Sequence, residues 1–220
     1  MPESMISHRV FILVLGIFLT TGCSIDRQAI TQGAQASRQT AVSSRAHQTV
    51  QQDNHSFRSP IAGGLTRVTK KIFGTHVSPG HSPVSPERFT GYHTGIDFET
   101  TPAEAFIDIP VSAACDGAVL LARWVSGYGG VLAQRCVVDT QPVTVLYGHL
   151  RLSSIAKKAG AAIVAGDPIG VLGQGATHET DGERKHLHFS VHRGTAVELR
   201  GYAQKAADSS SWIDPETLLR

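Results

Sequence analysis

The chain predicts an all-β domain, antiparallel and either folded over or sandwiched, with few short helices. Three observations lead there. Short runs rich in Val and Ile recur at residues 65–73, 109–114, 118–125, 131–138, 143–147, 169–172 and 186–191. Gly, Pro or Asp punctuates them, which is the pattern of strands closed by turns. Only residues 153–158 and 215–219 have the character of short helices.

Each strand has its own boundary signal. Residues 109–114 are β-branched around Pro110 and lead into the turn Asp116-Gly117. The run 118–125 is separated from 131–138 by Gly127-Tyr128-Gly129-Gly130, a turn signal. Residues 143–147 follow Pro142, and Ala165-Gly166-Asp167-Pro168 marks the turn before 169–172. In 186–191 the apolar Leu187, Phe189 and Val191 alternate with His186, His188 and Ser190, the period-2 pattern of a strand with one buried face. No internal repeat is evident.

The N-terminal part has a different composition. His8 and Arg9 precede ten apolar residues, 10–19, which are too few to span about 30 Å of hydrocarbon as a helix and match the length of a signal-peptide core. Thr20-Thr21-Gly22-Cys23 resembles a bacterial lipobox, which makes Cys23 the lipidated first residue of the mature protein and residues 1–23 the signal peptide. Thr20 stands where a lipobox usually carries Leu, Val or Ile. Ser24 rather than Asp after the cysteine resembles an outer-membrane address, so the expected location is the periplasm, anchored to that membrane. Residues 24–58 are mostly Gln, Ser, Thr, Ala and Arg with Phe57 as the sole Phe, Tyr or Trp, too apolar-poor to offset their ordering entropy. They read as a polar tether, with the folded domain spanning 59–220.

Charge is nearly balanced at 20 basic and 18 acidic side chains, and no basic stripe interleaved with aromatics occurs, so nucleic acid is excluded as a partner. With Cys23 set aside, Cys115 and Cys136 remain, an even pair on two neighbouring apolar segments. In an oxidising compartment they can form a disulfide, or they can be two buried thiols.

The chemistry lies in three histidine motifs in fixed order: His93-Thr94-Gly95-Ile96-Asp97, Tyr147-Gly148-His149-Leu150 and His186-Leu187-His188-Phe189. They offer four imidazoles and a carboxylate, enough for a three-ligand zinc site with its fourth position open, plus two proton-handling histidines. His186 and His188 share a strand face about 6–7 Å apart at Cα, which allows one to ligate metal and the other to work beside it. On a straight strand His93 and Asp97 would lie about 13 Å apart, so a bend is required, and Gly95 is the expected place for it. His149 follows a Val- and Leu-rich strand; alone it would read as structural.

The order H-x-G-x-D, Y-x-H-L, H-L-H-F resembles the lysostaphin-type, or LytM-domain, zinc metallopeptidases that cut peptidoglycan peptides. The likeness covers roughly residues 60–220 and extends to Ile72-Phe73-Gly74, Pro110-Val111-Ser112-Ala113, Gly166-Asp167 with Ile169-Gly170, and Ile213-Asp214-Pro215. It implies a compact β-sheet groove with one zinc on its floor, held by His93, Asp97 and His188, with His149 and His186 as the catalytic pair. It also implies a peptidoglycan peptide as substrate. Two segments depart from the family pattern, residues 104–109 and the polar loop 178–185, and both are expected to form groove walls.

The runner-up is a non-catalytic module of the same family that activates a cell-wall amidase, with a regulatory partner. Such modules typically lose ligands, whereas this chain keeps all five residues. Turns at Asp116-Gly117 and 166–170 also resemble biotinyl/lipoyl carrier domains, but no lysine stands between them at a hairpin tip. Among the other histidines, His192 shares the face of His188 but sits about 13 Å away, and His178, His76 and His81 read as solvated loop residues. Tyr92 and Tyr147 read as packing residues.

Overall fold

Strands form at every expected segment except residues 65–73. The structure, a computed structural model, describes residues 57–220. The signal segment, Cys23 and the tether up to residue 56 lie outside the described residues. In chain order the strands are β1 (His76–Val77), β2 (Gly91–His93), β3 (Gly95–Glu99), β4 (Pro110–Ser112), β5 (Gly117–Val125) and β6 (Gly129–Val138). They continue as β7 (Gln141–Leu150), β8 (Ala162–Ile163), β9 (Pro168–Val171), β10 (His186–Arg193), β11 (Tyr202–Ala203) and β12 (Trp212–Ile213). Among the described residues the helical segments are short 3-10 turns, so 153–158 and 215–219 form only the turns Leu152–Ser154 and Pro215–Thr217.

Seven strands make the main sheet, in the order β12-β10-β7-β6-β5-β8, with β3 also paired to β10. A three-stranded sheet β1-β2-β11 and a two-stranded pair β4-β9 flank it, and all pairings are antiparallel. The turn signal at Gly127–Gly130 becomes a β5–β6 hairpin across Ser126–Tyr128, with Val125 opposite Gly129.

The core gathers the inward side chains of these strands: Ile96 and Phe98 of β3, Leu132 of β6, Val143, Val145 and Tyr147 of β7, and Leu187, Phe189 and Val191 of β10. Leu187, Phe189 and Val191 thus face the core as read, whereas the opposite face, with His186, His188 and Ser190, is buried as well. Tyr147 is fully buried, donates from its hydroxyl to Gln134 Oε1 (2.7 Å) and accepts from the Ala114 N–H (2.8 Å), which confirms it as a packing residue. Cys115 and Cys136 are buried with Cα atoms 6.0 Å apart, the separation at which a disulfide forms.

Residues 65–73 depart from expectation. Gly63 and Gly64 adopt left-handed φ values of 88° and 53° and open a 3-10 turn at Gly64–Arg67 in place of a strand. Leu65, Val68 and Phe73 still pack against the core. Their burial does not follow a period of two, and the backbone is held by single bonds, such as Asp97 N–H to Lys71 O, instead of a ladder. Phe57 and Arg58, read as the end of the tether, pack on the domain: Phe57 is buried in the core and the Arg58 N–H donates to Ala114 O (2.8 Å).

Candidate metal centre

Strand pairing brings the motif residues together. β3 and β10 align with Asp97 directly opposite His188, and opposed side chains on one face stand about 4.5–5.5 Å apart at Cβ. His186 lies two residues earlier on the same face of β10. His93 arrives from the neighbouring sheet, because the chain passes from β2 to β3 through a bend at Thr94. Thr94 is pinned there: its N–H donates to Gly201 O (3.0 Å) and its hydroxyl to Arg200 O (2.8 Å). The bend thus falls one residue before the expected Gly95. Gly95 is required for closeness instead, since a Cβ there would collide with the Phe189 backbone oxygen.

His149 reaches the site through an irregularity in β7. On regular pleating it would point the same way as Tyr147, into the core. The β6–β7 register instead runs from Leu132 opposite Tyr147 to Gly130 opposite Leu150, so β7 carries one extra residue. That bulge re-aims a side chain, as bulges beside sites do. His149 takes a left-handed φ of 61° within it, and its carbonyl accepts from the Gly173 N–H (2.8 Å). Gly148 beside it leaves room for the Tyr128 ring, which a Cβ would strike.

Three donor atoms converge. His93 Nε2 lies 3.0 Å from His188 Nδ1 and 3.1 Å from Asp97 Oδ1, and His188 Nδ1 lies 3.2 Å from Asp97 Oδ1. All three residues are buried. His93 donates from Nδ1 to Ile72 O (3.2 Å), which leaves the Nε2 lone pair facing the other two donors. Three lone-pair atoms at such spacing suit one tetrahedral cation with bonds of about 2.0–2.1 Å, and the imidazole–carboxylate set suits zinc. The donors fit the ion the motifs imply.

The electrostatics agree. Burial opposes ionisation of Asp97, yet the imidazoles of His93 and His186 outweigh it and hold the carboxyl well below its ordinary range. Burial pushes the His188 imidazole down to about 4, partly countered by its hydrogen bond to Asp97. Burial, then His186 and His188, push His149 well below its ordinary value, so it is neutral at neutral pH. His186 donates from Nδ1 to Arg184 O (2.9 Å), and its Nε2 lies 3.3 Å from Asp97 Oδ2. The His149 and His186 rings lie 4.2 Å apart. His149 Nδ1 and His188 Nε2 are buried without a hydrogen-bond partner.

The centre opens into a cavity of about 240 Å³ walled by Phe89, Tyr128, Leu199, Tyr202 and Arg184. Of the two loops expected as walls, only the second contributes, through Glu183 and Arg184. Residues 104–109 face elsewhere, and three of their carbonyls (Glu104, Ala105 and Ile107) accept from Lys185 Nζ. His192 packs edge-on against Trp212 at 5.0 Å and stays outside the site. His178, exposed, stacks on Trp124 at 5.0 Å.

Sequence reasoning missed Lys71, Glu87, Arg184, Tyr128 and Tyr202. Lys71 and Glu87 form an ion pair (2.6 Å) with both side chains 1% exposed, and Lys71 Nζ donates to the Tyr202 hydroxyl (2.8 Å). Nothing in the sequence marks that pair. Tyr128 carried a faint signal, an aromatic inside a glycine turn.

Fold and site together define a β-sheet domain with a His-Asp-His metal centre and two further imidazoles on its open side, the layout of a metallohydrolase. Residues 91–199 match the family model described as Peptidase family M23. The chain belongs to this family of LytM-type metallopeptidases. No curated protein matches it. Among solved structures it is similar to the catalytic domain of the antimicrobial peptidase lysostaphin from Staphylococcus simulans, at 24% identity and TM-score 0.48, covering 72% of this chain and 97% of that one. It is also similar to a chain of the SpoIIQ-SpoIIIAH pore forming complex, at 16% identity and TM-score 0.50, covering 76% and 92%. Helicobacter pylori Csd3 aligns at 21% identity and TM-score 0.44 over 76% of this chain, which spans only 34% of the Csd3 chain. At 16% identity the second likeness speaks to fold alone.

Proposed function

We propose that the chain is an exported zinc-dependent endopeptidase that hydrolyses peptide cross-links of bacterial peptidoglycan. The observation that carries this reading is the triangle of His93 Nε2, Asp97 Oδ1 and His188 Nδ1 with two non-ligand imidazoles beside its open side. Bound zinc supplies Lewis acidity towards a scissile carbonyl and acidifies water. The remaining work falls to the chain. His186, with Nδ1 committed to Arg184 O, offers Nε2 to take a proton from the attacking water. His149, kept neutral by burial, is the second imidazole through which that proton passes to the departing amine. Tyr128 and Leu199 give the peptide an apolar wall.

The lipobox-like segment ending at Cys23 supports a periplasmic, outer-membrane-anchored location, and a thin wall with direct D-alanyl cross-links is the substrate such an address offers. A D,D-endopeptidase is the corresponding specificity. Incubation of the purified protein with sacculi, followed by chromatography of the released muropeptides, tests this. Cross-linked dimers should fall as monomers rise. Intact cross-links, together with stimulated peptide release by an added amidase, would make the chain an activator module instead.

A further inference from the structure

The loop before β10 sets a charged side chain against a metal ligand. Arg184 Nη2 donates to Asp97 Oδ2 at 2.8 Å, and the same guanidinium grips Glu99 through Nη2 and through Nε at 3.1 Å. Glu99 lies on β3 two residues beyond Asp97 and opposite His186, so sheet register places the two carboxylates side by side for one guanidinium to bridge. The planar donor fork of arginine suits such a pair; an ammonium does not reproduce it. Asp97 is thereby divided: Oδ2 accepts from Arg184 and lies 3.3 Å from His186 Nε2, and Oδ1 faces His93 Nε2 and His188 Nδ1.

We propose that Arg184 is a positioning residue for the metal centre, holding Asp97 Oδ2 so that Oδ1 alone is offered to the ion. The inference rests on the reading of His93, Asp97 and His188 as zinc ligands. Charge and orientation make opposite forecasts for its removal. Arg184→Ala removes a positive charge beside Asp97 and Glu99, leaving Glu99 only Lys70 at 3.6 Å, which by charge alone would tighten cation binding. Loss of an orienting partner instead weakens it, typically by about 10–100-fold.

The test is zinc affinity of the purified chain by competition with a chromophoric chelator, for the wild type, Arg184→Ala and Arg184→Lys. Thermal unfolding of each metal-free protein checks folding. The expected result is a loss of about 10–100-fold in Arg184→Ala, with Arg184→Lys in between because a single donor can still reach Oδ2. Cobalt(II) substitution adds a signature that a merely structural clamp would not move: with both oxygens of Asp97 free to chelate, the visible bands weaken as the coordination number rises. Should Arg184→Ala fail to fold, an intermediate loss in Arg184→Lys upholds the proposal and wild-type affinity overturns it. Equal or tighter zinc binding in a folded Arg184→Ala, with an unchanged cobalt spectrum, also overturns it. A wild-type chain that binds no zinc is a different failure, that of the functional reading itself.

Discussion

At the level of single residues, His149 shows how the backbone serves the site. Its φ of 61° is costly for a side chain bearing a Cβ, by about 1–2 kcal/mol, and free for glycine. His149→Gly should therefore be more stable than His149→Ala by about 1 kcal/mol, reversing the usual order in a strand, while both lose activity. On a domain of this size that difference is about 2–4 °C in Tm, readable by calorimetry. Equal midpoints would mean that the bulge relaxes without the imidazole. Replacing His186 by alanine should lower kcat by about 10²–10⁴-fold, the range for a proton-transfer group, with zinc content unchanged. Strand alternation made His186 and His188 legible, and the ordered motifs with their family resemblance supplied His93, Asp97 and His149; alternation alone would have turned His149 into the core. Arg184, Lys71 and Tyr202 were not. Arg184 meets Asp97 across 87 residues and Lys71 meets Tyr202 across 131, and no local pattern encodes such contacts.

At the scale of elements, close approach decides which strands can meet. The dogleg between β2 and β3 delivers two ligands from adjacent sheets, and the sequence foretold a bend but placed it one residue late. A short motif shows that a turn is needed; which residue turns depends on the strand packed against it, here β10. Gly148→Ala should displace the Tyr128 ring from the wall beside His149 and His188. The expected result is weakened substrate binding, read as a raised KM, with the ligands untouched. The connection between 65 and 75 is held by the buried Lys71–Glu87 pair beneath Tyr202. Lys71→Met strands a buried carboxylate and should cost about 3–5 kcal/mol in urea unfolding. The double variant Lys71→Met/Glu87→Leu should recover most of that loss. No loss in the single variant would show that water reaches Glu87.

For the molecule as a whole, the fold class followed from strand periodicity, while the division into three sheets did not, because β1, β8, β11 and β12 are two-residue strands defined only by their partners. The buried imidazoles link stability to pH. His188 is held down to about 4 against an ordinary 6.5, and His149 is shifted the same way. As pH falls below 6.5 the unfolded chain takes up protons that the folded metal-free chain refuses, so stability declines until about pH 4. Asp97, held low, adds a further loss below its ordinary 3.8. Metal-free protein should therefore melt several degrees lower at pH 4.5 than at pH 7, and a flat profile would place the imidazoles in water. The central claim is that one zinc sits among His93, Asp97 and His188. Metal analysis of purified protein beside His93→Ala, Asp97→Ala and His188→Ala tests it most directly. The account requires one equivalent of zinc in the wild type and its loss in each folded variant; a full equivalent retained by any of the three, or none in the wild type, would contradict it.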